Sequence, residues 1–205
     1  MKTKINKILK EIKEIYRIKA PLELENGLIE KASEKDIVYF EKMIGERLPD
    51  DYCVFLSNND FRMSFDGNYD CFSIEEVISS WKGMTNLLND GVFNDGRVEQ
   101  TIQYGNWDDK KIKQVWWSHK WIPFAQDGCG NMMCIDLDPG ENGNMFQIIA
   151  MEVQDEPGPF CYDFEYNFFI DVIEKHLTYL KNNQYIIFDG CIEIDRYKAY
   201  KHIKK

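Results

Sequence analysis

The sequence predicts an α+β fold in which helices pack on a twisted antiparallel β-sheet meander. Three observations carry this reading. Apolar residues recur at helical spacing through much of residues 5–88. From Trp121 to Val153, short β-rich runs alternate with Gly, Asp, Asn and Pro. The chain then returns to one amphipathic helix and ends with a hairpin signal, and no internal repeat interrupts the order.

Ile5, Ile8, Leu9, Ile12, Ile15 and Tyr16 share one helical face with Lys and Glu between them, which predicts an amphipathic helix over residues 1–20 that Pro21 ends. Ser33 followed by Asp36 is a capping-box pattern. Ile37, Phe40 and Ile44 are the apolar face of that helix, and Gly45 is its stop. Leu48-Pro49-Asp50-Asp51 opens a further helix, since Pro suits a first helical position and acids favour the positive end of the helix dipole. Tyr52, Phe55 and Leu56 are expected to face inward, and Asn58-Asn59-Asp60 breaks the helix. Ser73 with Glu76 repeats the capping box and predicts a helix over residues 74–88. Residues 89–120 show only weak periodicity, broken by Gly91, Gly96 and Gly105.

Ile122-Pro123-Phe124-Ala125 reads as a short strand, placed by its proline at a sheet edge or a strand start. Asn131 to Leu137 is a second strand, Asp138-Pro139-Gly140-Glu141-Asn142-Gly143 is turn chemistry, and Met145 to Val153 is a third strand in a hairpin with the second. Phe164, Phe168, Val172, Ile173, Leu177 and Leu180 mark another helix. Tyr185–Phe188 and Cys191–Ile194 flank Asp189-Gly190, a strong hairpin signal.

Composition excludes several classes. Hydrophobic residues make up 44% and aromatics 14% of 205 residues, so the chain can order a core, unlike a disordered or low-complexity chain. No stretch approaches the roughly 18 uninterrupted apolar residues of a membrane helix. Net charge is −10, but unevenly placed. Residues 1–20 carry seven Lys/Arg against two Glu, and residues 196–205 carry five Lys/Arg and no acid. Between them, 13 basic face 33 acidic residues, a net of −20. Such a body repels nucleic acid and anionic membrane and steers basic partners toward itself. The basic ends read as solvated helix faces. Residues 1–19 lack the apolar segment of a secretory signal, and Cys53, Cys71, Cys129, Cys134, Cys161 and Cys191 lack a disulfide-rich spacing. A cytoplasmic location, with cysteines acting mostly as small buried hydrophobes, is the expectation.

The chemistry-bearing residues are few. His119, His176 and His202 stand apart without a partner motif, and neither His-x-x-x-His nor Cys-x-x-Cys occurs. His176 is expected to be a packed or surface histidine. Asp136 and Asp138 at a strand end, with Asp127 and Glu141 nearby, have the residue types of a hard-cation site. The alternative is that they are turn-forming acids bonded to their own backbone. Asp127-Gly128-Cys129-Gly130-Asn131 lies between strands and not before a helix, so it is no phosphate loop. Trp107, Trp116, Trp117 and Trp121 are either core or, where exposed, stacking anchors for a partner.

Two stretches together resemble a family. They are Ser33–Asn59, SEKDIVYFEKMIGERLPDDYCVFLSNN, and Trp121–Pro139, WIPFAQDGCGNMMCIDLDP. The first has an acidic helix ending in Gly, then Leu-Pro, an acid, Tyr and Phe-Leu. The second has Trp-Ile-Pro-Phe, an acid-Gly pair, and Asp-Leu-Asp-Pro after a strand. Leu48, Pro49, Asp51, Tyr52, Phe55, Leu56, Ile122, Pro123, Phe124, Asp127, Gly128, Gly130, Asp136 and Asp138 fit the pattern of the SUKH superfamily. That superfamily includes fungal regulators of cell-wall glucan synthesis and many bacterial immunity proteins. Asp60-Phe61 departs from it, where the family usually has Gly soon after the Asn.

The resemblance implies one SUKH-like domain over residues 1–205. Its family-like core covers about 33–180, with an extra N-terminal helix at 1–20 and a C-terminal hairpin and basic tail at 184–205. It implies a role without catalysis or cofactor. The first expectation is an immunity protein that binds and neutralises a basic toxin domain, such as a nuclease. Asp127, Asp136, Asp138 and Glu141, with exposed members of Trp116 and Trp117, are the expected contacts. A regulatory scaffold of the cell-wall branch is the alternative, and a metal-dependent enzyme using Asp136 and Asp138 the third choice. No direct nucleic-acid or membrane partner is expected, and the sequence leaves the oligomeric state open.

Overall fold

The computed structural model describes residues 1–66, 69–93, 110–113, 115–152, 158–160 and 166–195. Four helices come first: α1 (Lys2–Lys19), α2 (Pro21–Asn26), α3 (Glu34–Ile44) and α4 (Asp50–Asn58). Strands β1 (Ser64–Phe65) and β2 (Tyr69–Cys71) follow, then α5 (Ile74–Asn89). Strands β3 (Trp121–Gln126), β4 (Met132–Asp136), β5 (Ile148–Glu152) and β6 (Gly158–Phe160) precede α6 (Phe169–Lys181), β7 (Tyr185–Phe188) and β8 (Cys191–Ile194). β1 to β6 pair in sequence order into one antiparallel meander, while β7 and β8 form a separate two-stranded sheet. This is the α+β architecture that the sequence predicts.

Local chemistry explains the boundaries. Ser33 Oγ accepts from Asp36 N at 3.3 Å, and the Asp36 carboxylate accepts from Ser33 N at 2.9 Å. Ser73 and Glu76 close the second capping box in the same way, at 3.3 and 2.8 Å. Gly45 ends α3 in the left-handed region. Pro21 does more than end α1, because it starts α2 from the first helical position. Pro123 corrects a second expectation. β3 lies between β2 and β4, inside the sheet, and its pairing shifts register between Pro123 and Ala125. A bulge lets a central strand accept a residue that cannot donate. Strands β1, β2 and β6 have two or three residues each, too few to show a period in sequence.

The core lies where α1, α4 and α6 meet the sheet. Phe169 packs its ring 4.8 Å from both Tyr52 and Phe55 and 5.2 Å from Phe124. Consecutive residues of β3 and β4 are buried, so both faces of these strands are covered. Helix α1 covers α6. Tyr16 Oη lies 3.3 Å from His176 Nε2, and Lys4–Glu174 and Lys181–Glu11 ion pairs tie the helices at the surface. Cys71 and Cys134 are buried, Cys53 is half-buried, and Cys129 and Cys191 are exposed; all five are free thiols. Cys161, Trp107, Phe164 and His202 lie outside the described residues. Among the described residues, no helix is long and apolar enough to cross a membrane.

Candidate protein-interaction site

The four predicted acids sit on two loops at the ends of β3 and β4. Asp127 opens the β3–β4 turn and staples it. Its Oδ1 accepts from Cys129 N at 2.9 Å and Asn131 N at 2.8 Å, and its Oδ2 accepts from Asn131 Nδ2 at 2.8 Å. Asp136 ends β4 with no exposed surface. Its Oδ1 accepts from Asp138 N and its Oδ2 from Gln147 Nε2, both at 2.9 Å. Burial pushes the Asp136 carboxyl above its ordinary range, and these two donors pull it part of the way back. Asp136 therefore closes the start of the β4–β5 loop on itself.

That loop is locked onto residues 110–113. Gly140 N donates to Lys111 O at 2.9 Å, Asn142 N to Lys110 O at 3.2 Å, and Gln147 Nε2 to Lys111 O at 2.8 Å. The approach requires glycine. A Cβ on Gly140 would lie 2.2 Å from Lys110 O, and one on Gly143 2.1 Å from Lys111 O. The same segment supplies cations to the outer acids. Lys113 Nζ pairs with Asp138, and Lys110 Nζ pairs with Glu141 at 3.0 Å. The Lys113 and Asp138 side chains are each 44% exposed, and those of Lys110 and Glu141 65% and 73%. Ion pairs this open to water contribute roughly 0–1 kcal/mol, so a partner's cations can replace the lysines at little cost.

The tryptophans are interior. Trp117 is 2% and Trp116 8% exposed. Trp116 stacks on Phe93 with centroids 5.8 Å apart, and Trp117 meets Trp121 edge-on at 5.9 Å. Trp117 Nε1 donates to Thr85 Oγ1 at 3.3 Å, and Trp81 Nε1 to His119 O at 2.9 Å, which fastens residues 115–121 against α5. The expectation of exposed Trp116 and Trp117 anchors is corrected: apolar surface of this size is better removed from water, and α5 with Phe93 just beyond it offers the cover. Asp136 is likewise interior. The contact surface expected from sequence reduces to Asp127, Asp138 and Glu141.

The shared cation site also changes. Asp136 is occupied by two N–H donors and Asp138 by Lys113, so the carboxylates serve different partners. Among the described residues, no three His, Cys, Asp or Glu gather in a metal-binding group. His176 is a packed histidine, buried between Tyr16 and Phe65, and burial holds its imidazole down to about 3.

Sequence reasoning missed three parts of the surroundings. Lys110 and Lys113 neutralise the outer acids; the Lys110-Lys111-Ile112-Lys113 run inside an acidic body was the available signal. Gln147 holds Asp136 from eleven residues away, with no local pattern to show it. Asp51 joins α4 to α6, its Oδ2 accepting from Ile170 N at 2.8 Å.

The fold and this geometry define a small α+β domain whose motif acids build turns and bridge elements. The chain belongs to the SMI1 / KNR4 family (SUKH-1), whose family model matches residues 31–175. It is similar to the protein called KNR4/SMI1 homolog 2 from Debaryomyces hansenii, with 35% identity over 95 residues. That match covers 38% of this chain and 16% of the yeast protein, so the chain spans only a small part of its relative. α1 and the β7–β8 hairpin fall outside the family match.

Proposed function

We propose that this chain is a non-catalytic binding protein, an immunity protein that occupies and neutralises a basic toxin domain. The observation that carries the reading is charge. Residues 21–195 hold a net −20, and Asp138 and Glu141 sit on a rigid loop whose side-chain ion partners among the described residues are solvent-exposed lysines. A basic, nucleic-acid-binding toxin domain would find there a surface that steers fast association and exchanges lysine for its own cations. A cytoplasmic site of action follows from the same reading.

The test is capture of the product of the neighbouring upstream open reading frame, followed by titration. One-to-one binding that abolishes that product's toxicity is the expected result. Asp138→Lys with Glu141→Lys should slow association about tenfold or more at low salt and much less at high salt. Absence of binding by a folded candidate toxin overturns the immunity reading. One specific observation favours a second reading: the family's name and that of the yeast relative fit a regulator of the cell-wall branch equally well. Weak binding to several partners, and none to a toxin, would mark that role.

A further inference from the structure

Among the described residues, strand β7 carries an unpaired edge. The Asp189-Gly190 turn has φ of 48° and 82°, the left-handed pair of a two-residue hairpin, with Phe188 opposite Cys191. Asp195 N donates to Gln184 O at 3.0 Å, whereas Ile192 N leaves the hairpin for the Glu23 carboxylate at 2.8 Å. The alternation of an antiparallel ladder then sets the rest. Phe188 and Ile186 bond across to β8. Tyr185 and Ile187, opposite Ile194 and Ile192, point their N–H and C=O groups away from it. Among the described residues nothing bonds to these groups.

The side chains make the edge apolar on both faces. Ile187 shares a face with buried Ile192 yet is 47% exposed, so β7 overhangs the body. Ile186 and Phe188, on the opposite face, are 43% and 64% exposed. The usual protections of an open edge are missing: β7 has no lysine or proline, and its register runs without a bulge. Among the described residues, the charges that act on the hairpin tip are acidic. Burial pushes the Cys191 thiol at the hairpin tip up, and the charges of Glu23, Asp189, Glu193 and Asp70 add to the rise. Asp189 and Glu193, which lie on the hairpin itself, join no ion pair among the described residues, while Glu23 is held by Ile192 N on the far side of β8. A second copy of the chain would bring the same carboxylates to this edge, so the charge selects a basic occupant.

We infer that the outer edge of β7 receives an extended, basic segment of a partner protein as an added strand. Its backbone bonds Tyr185 and Ile187, and its Lys or Arg side chains meet Asp189 and Glu193. The inference rests on the protein-binding reading above and names where and how a partner docks. The hairpin lies outside the family match, so this edge belongs to this chain's own additions.

The probe is a fluorescein-labelled Lys-Val-Lys-Val-Lys-Val-Lys peptide, titrated into the full chain by anisotropy, with amide exchange followed at Tyr185 and Ile187. Saturable binding is expected, with exchange at both amides slowed about tenfold and no binding by the peptide carrying Glu in place of Lys. Ile187→Pro removes an outward N–H without touching a β7–β8 bond, and Ile186→Lys sets a positive charge beside the edge. Each should weaken the peptide about tenfold or more while circular dichroism stays native, and either one suffices if the other fails to fold. Absence of saturable binding, or binding undiminished in the folded variants, overturns the inference. So does a concentration-dependent dimer that Ile187→Pro abolishes, which gives the edge to a second copy. A tenfold gain in peptide affinity on removing residues 196–205 also overturns it, by giving the edge to the chain's own basic tail. Capture of a toxin by wild type and by both variants alike overturns the docking site and leaves the binding role standing. Peptide binding at the edge without toxin capture does the reverse.

Discussion

Acidification from pH 7 to pH 5 is expected to destabilise the protein by about 2 kcal/mol through His176. The imidazole is fully buried, with Tyr16 Oη 3.3 Å from Nε2 and no acceptor at Nδ1 among the described residues. A second proton on the ring would have to enter without a partner for its N–H or a counter-charge. Burial thus lowers the folded value to about 3 from the ordinary 6.5. The unfolded chain takes up the proton first, so this contribution is complete above 6.5 and is lost as pH falls toward 3. At pH 5 the unfolded ring is about 1.5 units below its titration point while the folded ring stays neutral; at about 1.4 kcal/mol per unit the loss is about 2 kcal/mol. Asp51, Asp136 and Glu23 have carboxyls raised by burial and act with the opposite sign, adding stability as pH falls through their folded values. They are present in wild type and in His176→Leu, so the difference between the two proteins isolates the histidine. Urea titrations at pH 7 and pH 5 should show a pH-dependent loss about 2 kcal/mol larger in wild type, about 4–8 °C in melting temperature. Equal pH dependence in both proteins refutes the reasoning.

Two further substitutions test the loops. Gly140→Ala sets a Cβ 2.2 Å from the Lys110 carbonyl oxygen, backbone against backbone, and should cost about 2–3 kcal/mol in chemical denaturation; a change below about 0.5 kcal/mol would contradict the locked loop. Trp117→Ala should cost about 3–5 kcal/mol because the ring is buried against Trp121; an exposed anchor would lose almost nothing on the same unfolding curve.

The candidate site shows where reasoning from residue types stops. The residues at Asp127, Asp136 and Asp138 are read from the motif, and the alternative that they form turns is also legible, because Asp between strands tends to bond its own backbone. Which acid faces outward is not legible. Asp136 and Asp138 are two residues apart on one strand end, yet one has no exposed surface and the other lies 44% exposed against Lys113. The tryptophans are alike in sequence, and the arrival of α5 beside Trp117 and of Phe93, just past α5, on Trp116 decides that both are covered.

The sequence by itself determined the order and type of the longer elements, the capping boxes at Ser33 and Ser73, the Asp189-Gly190 hairpin, the acidic body and the family. These rest on interactions between residues close in the chain, or on sums over composition, which a linear reading contains. The tertiary structure decided that Pro123 sits in a central strand, that Gln147 and residues 110–113 lock the Asp136 loop, and that His176 is sealed under α1. It also decided that β7 overhangs with one edge unpaired among the described residues. Each of these depends on which distant segment arrives to cover or bond a group, and burial, unlike helical or strand periodicity, is a property of the neighbours that the folded chain brings together.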